Sequence, residues 1–316
     1  MGALKNLMKS KNKISYILFL LQRSIKKNKH RLMVAKLIAW FSPKQVFDKS
    51  ESRYSFLKDE GSAEYTETLK TEGIVIFPEI IFLEEEISNI TSQLDGLTLS
   101  DPYSDLKGYD LENMPEDANC HHYHRSDLCN IPEIINLAND QGILQLAKNY
   151  LGATPTISNI NLWWGTYGDN KPRDNELFHR DKDDYDFVKF FIYLTDTDEN
   201  DYNIVYVKNS LNSSKALDKL RYNKLEVMEM FGQDNIIHAM GVKGTGFMGA
   251  NYGVHNGTLP PIKGRKTLLL QIQYSIRGIS CEDYQPIDSE TILGNVDNSV
   301  VPWVNRLIIK KEVEQA

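Results

Sequence analysis

The residues best suited to chemistry are a histidine and an aspartate two positions apart, His179 and Asp181. They lie in LFHRDKDDYDFVKFFIYLTD, residues 177–196, directly before an apolar run. On extended chain such residues point to the same face, so both side chains could bind one ion. With seven histidines and many aspartates, the chain could also contain this pair by chance, as a polar loop leading into a buried strand. The choice depends on ligands elsewhere.

A third ligand and a basic residue follow in NYGVHNGTLPPIKGRKTLLLQIQYS, residues 251–275. His255 comes after one apolar run, and Arg265 begins the next, ten residues later. Two imidazoles and one carboxylate on a triangular face form the ligand set of non-haem iron(II) oxygenases, which leaves positions open for substrate chemistry. The sequence therefore predicts an iron(II) site made by His179, Asp181 and His255.

The region that must position these residues has a hydrophobic period of two from residue 155 onward. Short strand-like runs there are separated by Gly, Asn, Asp and Pro, and one predicted helix, residues 213–232, interrupts them. This pattern favours a double-sheet jelly roll. The strand-like runs are TISNINLWWGTY, DFVKFFIYLTD, YNIVYVKNS, KGTGFMGANY and RKTLLLQIQYS.

The chain before residue 155 is predicted to be helical up to about residue 60 and to mix helix and loop from residue 61 to about 154. Residues 72–82 favour a short strand and turn, because β-branched residues cluster there and Pro78 interrupts them. Residues 83–97 have helical spacing with acids in the first turn. Residues 131–152 predict two helices, the second ending at Gly152, since glycine adopts the left-handed cap without strain.

Four segments of the chain match, in order, the segments of one enzyme family: residues 136–164, 178–184, 190–201 and 254–265. With them the sequence resembles the phytanoyl-CoA dioxygenase family of iron(II)/2-oxoglutarate dioxygenases, over roughly two thirds of its length. The resemblance implies a mainly β fold with helices: a double-stranded β-helix, the jelly-roll or cupin-like core, wrapped by N-terminal helices.

The resemblance also implies roles for individual residues. His179, Asp181 and His255 would bind Fe(II), and Arg265 would hold the distal carboxylate of 2-oxoglutarate through a bidentate pair. Tyr193 would either contact this cosubstrate or be an ordinary core tyrosine. The implied reaction consumes O2 and 2-oxoglutarate, releases succinate and CO2, and usually hydroxylates an unactivated C–H bond. Because Asp181 is present, hydroxylation or desaturation is favoured over halogenation.

The sequence departs from the family in residues 202–214, YNIVYVKNSLNSS, which lack the expected glycines, prolines and histidines. The familiar acyl-CoA substrate therefore cannot be transferred to this chain. Candidate pocket residues are Trp163 and, in CHHYHR, His122 and His124, which would share a face of a strand. A second metal site there is disfavoured, because no acid or cysteine lies at a suitable spacing. The substrate class that we expect is a small or glycan-linked metabolite.

Charge and cysteine content narrow the class of protein. The net charge of −7 argues against general nucleic-acid binding. The three cysteines, Cys120, Cys129 and Cys281, have no metal-ligand spacing and favour a reducing compartment, the cytoplasm. We expect two parts: a basic helical segment, residues 1–60, and a dioxygenase domain, residues 61–316, with its jelly-roll core at about 155–280.

The basic segment has two interpretations. Residues 1–36 contain ten Lys or Arg and no acid, and the apolar stretches 14–21 and 31–41 are too short to cross a bilayer. Two short amphipathic helices could make peripheral contact with the inner face of the membrane through residues 1–41, or could form a layer packed on the domain.

Two other functions are compatible with these patterns. The first is an iron enzyme of cupin type without 2-oxoglutarate, against which Arg265 argues. The second is a catalytically silent jelly-roll binding module docked at a membrane surface, against which the intact ligand set argues.

Overall fold

The computed structural model describes residues 13–58, 61–167, 172–278, 287–288 and 302–310. Cys281 and residues 1–12 of the basic segment lie outside these ranges. The helices are α1 (Lys13–Ser24), α2 (Asn28–Phe41), α3 (Ser55–Lys58), α4 (Gly61–Thr71), α5 (Glu84–Gln93), α6 (Arg125–Leu128), α7 (Pro132–Ala138), α8 (Gln141–Leu151), α9 (Lys224–Phe231) and α10 (Pro302–Asn305).

The strands are β1 (Ile74–Ile80), β2 (Leu99–Ser100), β3 (Lys107–Tyr109), β4 (Cys120–Tyr123), β5 (Thr156–Thr166), β6 (Phe187–Tyr193), β7 (Ile204–Val207), β8 (Ile236–Ala239), β9 (Thr245–Gly249), β10 (His255–Gly257), β11 (Lys266–Ser275), β12 (Ile287–Asp288) and β13 (Ile309–Lys310). They form one large sheet and one small sheet, with a separate parallel pair, β12–β13. The large sheet has the order β1-β9-β6-β11-β5-β4-β2-β3, and the small sheet has the order β10-β7-β8.

The jelly roll arises because the chain passes back and forth between the two sheets from β5 to β11. Strands β5, β6, β9 and β11 pair antiparallel in the large sheet, whereas β7, β8 and β10 pair antiparallel in the small sheet. The predicted fold class, a mainly β jelly roll with helices, is confirmed.

Strand β6 shows how the sequence creates two separate cores. All seven of its residues are buried, as expected for a strand covered on both faces. Val188, Phe190 and Ile192 point toward the helices and join the large apolar cluster. Phe191 and Tyr193 point between the sheets and join a second cluster. The space between the sheets is therefore lined by the side chains at alternate positions of the large-sheet strands, such as Phe191 and Tyr193.

Of the elements before the jelly roll, one strand and two helix ends or starts follow the predicted pattern, whereas β2, β3 and β4 extend the large sheet where helix and loop were predicted. Strand β1 and α5 lie within the predicted strand and helix, and α8 ends at Gly152 in the left-handed conformation, φ 68°. Asp140 begins α8 by accepting hydrogen bonds from the backbone N–H groups of Gly142 and Ile143.

The predicted helix over residues 213–232 was wrong in its first half. Only Lys224–Phe231 is helical, and Asn223 caps this helix by accepting from the N–H of Glu226. In residues 210–216, carbonyl oxygens accept hydrogen bonds from the guanidinium of Arg180 instead of from helical N–H groups. Ala216 also has a positive φ of 54°, which breaks a helix.

Helices of the described residues are all too short or too polar to cross a bilayer. Cys120 and Cys129 are buried free thiols.

Candidate metal centre

Two backbone hydrogen bonds bring the distant histidines together. The N–H of His179 donates to the carbonyl of His255 at 2.9 Å, and the N–H of His255 donates to the carbonyl of His179 at 3.0 Å. Their imidazole rings consequently lie with centroids 4.5 Å apart. This pairing extends the small sheet beyond β10 and places both rings at one end of the space between the sheets.

Asp181 faces both rings. Its carboxylate oxygens lie 3.2 Å from Nε2 of His179 and 3.3 Å from Nε2 of His255. One ligand atom from each of the three residues lies within 4.8 Å of the other two, and both histidines are buried. These are the three residues that the sequence predicts as ligands, and the structure brings them together.

The hydrogen bonds of the other ring nitrogens determine which atoms face the centre. Nδ1 of His179 lies 2.8 Å from the carbonyl of Leu177, and Nδ1 of His255 lies 3.0 Å from the carbonyl of Gly253. A carbonyl oxygen can only accept, so each Nδ1 carries a proton, and in the neutral ring Nε2 then presents a lone pair toward the centre. Burial lowers the pKa of His255, which favours the neutral ring.

When both rings are neutral, two imidazole lone pairs face the same carboxylate. Without a cation at the centre, these three electron-rich groups would repel one another. A divalent transition-metal ion removes this repulsion and prefers this donor set, with backbone carbonyls orienting the imidazoles from behind. The three residues therefore fit a metal ion.

Arg180, between the two ligands, fixes the direction of the segment. Its side chain points away from the centre, is buried, and donates to the carbonyls of Tyr252 at 2.6 Å, Ser210 at 2.8 Å and Lys215 at 3.0 Å. A guanidinium held at several points leaves the extended backbone little freedom to rotate. His179 and Asp181 are consequently held toward the centre.

Lys189 is a second cation beside the ligands. It lies on β6 with its side chain between the sheets, and Nζ is 2.6 Å from Asp181 Oδ2 and 3.0 Å from Asp183. Burial alone would raise the pKa of Asp181, but the neighbouring Lys189 ammonium holds it well below its usual range. Burial alone would lower the pKa of Lys189, yet Asp181 and Asp183 raise it. Both groups are therefore charged.

A cavity of about 160 Å³ opens from the ligands into the space between the sheets. Several lining residues have a buried polar atom without a hydrogen-bond partner among the described residues, including His122 Nε2, Asn175 Oδ1, Asn251 Oδ1 and Gln271 Nε2. A buried polar atom without a partner is costly, and a polar ligand in the cavity would relieve that cost.

The predicted pocket residues separate into two groups. Trp163 and His122 line the cavity and stack, with ring centroids 5.3 Å apart and planes within 7°. Burial lowers the pKa of His122 to about 3, so its ring is neutral. His124 is exposed and does not share this face, because β4 ends at Tyr123 and His124 precedes α6. Trp164 points to the other side of β5, where its indole N–H donates to Tyr123.

The structure places the two predicted cosubstrate residues away from the cavity lining. The hydroxyl of Tyr193 donates to the carbonyl of Ala239 at 2.7 Å and accepts from the N–H of Ile204 at 3.0 Å. The guanidinium of Arg265 is partly exposed and contacts Asp198 at 2.8 Å and Asp201 at 2.7 Å. These acids and Arg265 line a separate surface groove.

Sequence reasoning missed several residues of the site. Lys189 had a visible signal, because it is the one charged residue in the otherwise apolar run FVKFFIY. Gln271 gave a similar signal in LLLQIQYS. Arg180 stood within the motif itself, but its contacts with carbonyls of distant loops have no local sequence signature.

No family model and no curated protein matches the sequence. Among solved structures, the epimerase SnoN from nogalamycin biosynthesis, described as non-haem and α-ketoglutarate-dependent, aligns with a TM-score of 0.50 and 11% identity over 67% of this chain and 82% of its own. EctD from S. alaskensis in its apo form aligns with a TM-score of 0.50 and 13% identity, covering 74% and 82%. HygX from Streptomyces hygroscopicus, solved with nickel and 2-oxoglutarate, gives 0.48 and 15%, covering 71% and 90%. At these identities the likeness shows the shared fold.

Replacement of His255 by Ala should weaken binding of one divalent cation at least about tenfold, since it removes one of three ligands. Titration calorimetry with Mn2+ measures this directly. The His124→Ala variant is the matched control, because it removes an exposed histidine outside the centre and should bind like the wild type. Equal affinity in all three proteins would contradict the assignment of the centre.

Proposed function

We propose that this protein is an Fe(II)- and 2-oxoglutarate-dependent oxygenase that hydroxylates an unactivated C–H bond of a small or glycan-linked metabolite. The observation that carries the proposal is the convergence of two imidazole lone pairs and one carboxylate, at 3.2 and 3.3 Å, beside a cavity with unpaired polar atoms. The resemblance to the phytanoyl-CoA dioxygenase family supports it.

His179, Asp181 and His255 would hold the iron, which together with 2-oxoglutarate and O2 supplies the oxidising chemistry and releases succinate and CO2. The chain contributes position and environment. The apolar side chains of Phe191 and Ile204 line the cavity and limit access of water to it.

The distal carboxylate of 2-oxoglutarate has two candidate partners in this chain. Arg265 is the partner that the family resemblance implies, and a guanidinium suits a carboxylate. Its donors, however, are engaged by Asp198 and Asp201. To bind 2-oxoglutarate, Arg265 would have to give up its contacts with the carboxylates of Asp198 and Asp201 and pair with the single distal carboxylate of the cosubstrate.

Lys189 is the partner that the geometry favours. Among the described residues that line the cavity, Lys189 is the only Lys or Arg, and it is buried. Its charge is now balanced by Asp181 and Asp183. Because a metal ion bound to Asp181 would share that carboxylate's charge, the Lys189 ammonium would be able to pair with an incoming anion. We therefore assign the cosubstrate carboxylate to Lys189.

Replacement of Lys189 by Met should weaken 2-oxoglutarate binding at least about tenfold, the effect of losing one charge-assisted hydrogen bond in a buried site. Arg265→Met should change it less than about threefold. Quenching of tryptophan fluorescence, to which Trp163 in the cavity contributes, reports the affinity during titration with 2-oxoglutarate and Mn2+. Because Lys189 contacts Asp181, Mn2+ affinity is measured separately for each variant. A large loss with Arg265→Met and none with Lys189→Met would assign the role to Arg265.

The polarity of the cavity supports the substrate class that we propose. His122, Asn175, Asn251 and Gln271 present unpaired polar atoms, which favour a molecule with several hydroxyl or amide groups over a free fatty acid. SnoN has been solved in complex with iron, α-ketoglutarate and nogalamycin RO. For this chain we propose a small or glycan-linked metabolite whose polar groups bind these atoms.

We further propose a division into a basic helical segment, residues 1–60, and the oxygenase domain, residues 61–316, in a cytoplasmic protein with peripheral contact at the inner face of the membrane. A second candidate function is a catalytically silent jelly-roll binding module, which would dock on the same membrane through the same basic segment. The complete ligand triad favours the enzyme over the silent module.

Aerobic incubation with Fe(II) and 2-oxoglutarate should produce succinate. We expect slow formation without added substrate and faster formation when a mixture of hydroxyl-rich metabolites is added as candidate substrates. The succinate yield should fall to the level of protein-free controls in Asp181→Ala, because the carboxylate ligand is lost. Mass spectrometry quantifies succinate. Wild-type protein that binds both iron and 2-oxoglutarate but never exceeds Asp181→Ala would favour the silent module.

A further inference from the structure

Helix α2 has an apolar face that is exposed to solvent. Four of its large apolar side chains, 63–80% exposed, follow helical spacing: Met33, Leu37, Trp40 and Phe41. We call these four residues the apolar face of α2. Exposed apolar rows of this kind in soluble proteins mark interaction sites, since water contact with them is unfavourable.

Basic side chains border the apolar face. Lys29 and Lys36 lie on the exposed side of α2, and Lys44 follows its end. The first acidic residue of the chain is Asp48, so no carboxylate from the preceding sequence offsets these charges. The surface therefore combines apolar side chains, one of them an indole, with a cluster of positive charge.

The opposite face of α2 is fixed to the domain. Arg31 is fully buried; it donates to the carbonyl of Gln22 at 2.8 Å and to that of Asp184, and its guanidinium lies 4.3 Å from the Tyr252 ring centroid. Gln22 in turn donates to the carbonyl of Lys182. The exposed side is thus the free side of a helix whose position is set by buried contacts.

These buried contacts reach the segments that carry the metal ligands. Lys182 and Asp184 come one and three residues after Asp181, and Tyr252 comes three residues before His255. The ring of Tyr252 also lies 5.5 Å from the guanidinium of Arg180. One face of α2 therefore supports the candidate metal centre while the other faces solvent.

We propose that the apolar face of α2 inserts into the headgroup region of an anionic lipid bilayer, with Lys29, Lys36 and Lys44 beside acidic lipid phosphates. This specifies the peripheral contact proposed above and does not depend on the proposed reaction. An interfacial helix lies in the membrane plane with its apolar side chains buried and its lysines at the surface. Trp40 suits the boundary, since indole favours the membrane interface.

A second copy of this chain is a poorer occupant. In a two-fold symmetric contact the same patch meets itself, so Lys29 and Lys36 of one copy would meet equal charges from the other. An anionic lipid surface supplies the opposite charge and an apolar layer together. Helix α1 adds two exposed apolar side chains at i, i+4 spacing, Ile17 and Leu21, which a bilayer could also cover.

Co-sedimentation of the full chain with vesicles tests the proposal in the absence of iron and 2-oxoglutarate. Vesicles of phosphatidylcholine with 30% phosphatidylglycerol should bind the wild type at least about tenfold more tightly than pure phosphatidylcholine. The double variant Trp40→Ser/Phe41→Ser should lose at least about tenfold in affinity for the anionic vesicles. A charge variant, Lys29→Gln/Lys36→Gln, should lose the preference for anionic over neutral vesicles.

Matched controls are available on the same chain. Leu220 and Leu225 are 72% and 70% exposed, so Leu220→Ser/Leu225→Ser removes similar apolar area elsewhere and should bind like the wild type. Mn2+ affinity of Trp40→Ser/Phe41→Ser should equal that of the wild type, because only the free side of α2 is changed. Wild type that stays in solution with both vesicles, or equal binding by the Trp40/Phe41 variant, would overturn the proposal. So would a wild-type oligomer that this variant dissociates without any vesicle binding. Succinate formation, measured without vesicles, tests the reaction independently.

Discussion

The pairing of the His179 and His255 backbones is the constraint on which the candidate centre depends. Two reciprocal hydrogen bonds, 2.9 and 3.0 Å long, join chain segments that lie far apart in the sequence. Arg180 reinforces this pairing, because its guanidinium binds carbonyls of residues 210, 215 and 252 while the residues on either side of it face the centre. The ligand geometry is therefore a property of the whole jelly roll.

Charge balance is the second constraint. A buried carboxylate between two neutral imidazoles would be unstable by itself, and Lys189 compensates Asp181 at 2.6 Å. Asp183 shares the same ammonium. This arrangement keeps the Asp181 carboxylate charged beside the Nε2 atoms of both histidines, which suits a metal cation. It also places a positive charge in the cavity where an anionic cosubstrate would enter.

The sequence predicted those parts of the fold whose pattern is local. Long strands such as β5, β6 and β11 alternate strongly, and Gly152 marks the end of a helix. Strand β10 was missed because it has three residues, HNG, and is defined by its partners. The helix predicted over residues 213–223 fails for a similar reason: carbonyls there bind Arg180, a contact that local propensity cannot reveal.

The same distinction applies to the site. The metal ligands could be predicted because their residue types and spacing carry chemical information. The contacts of the basic side chains Lys189 and Arg265, in contrast, depend on the fold. The family resemblance implies a cosubstrate role for Arg265, yet its guanidinium contacts two acids in a separate surface groove. Lys189 lies in a run with the pattern of an ordinary core strand, yet its strand parity directs it into the cavity.

The metal centre is best tested by anaerobic addition of Fe(II) to the purified protein with 2-oxoglutarate, followed by visible spectroscopy. We expect a metal-to-ligand charge-transfer band that requires iron, 2-oxoglutarate and the protein together. Iron that is not retained, with no band at any 2-oxoglutarate concentration, would contradict it and leave the jelly roll as a binding module.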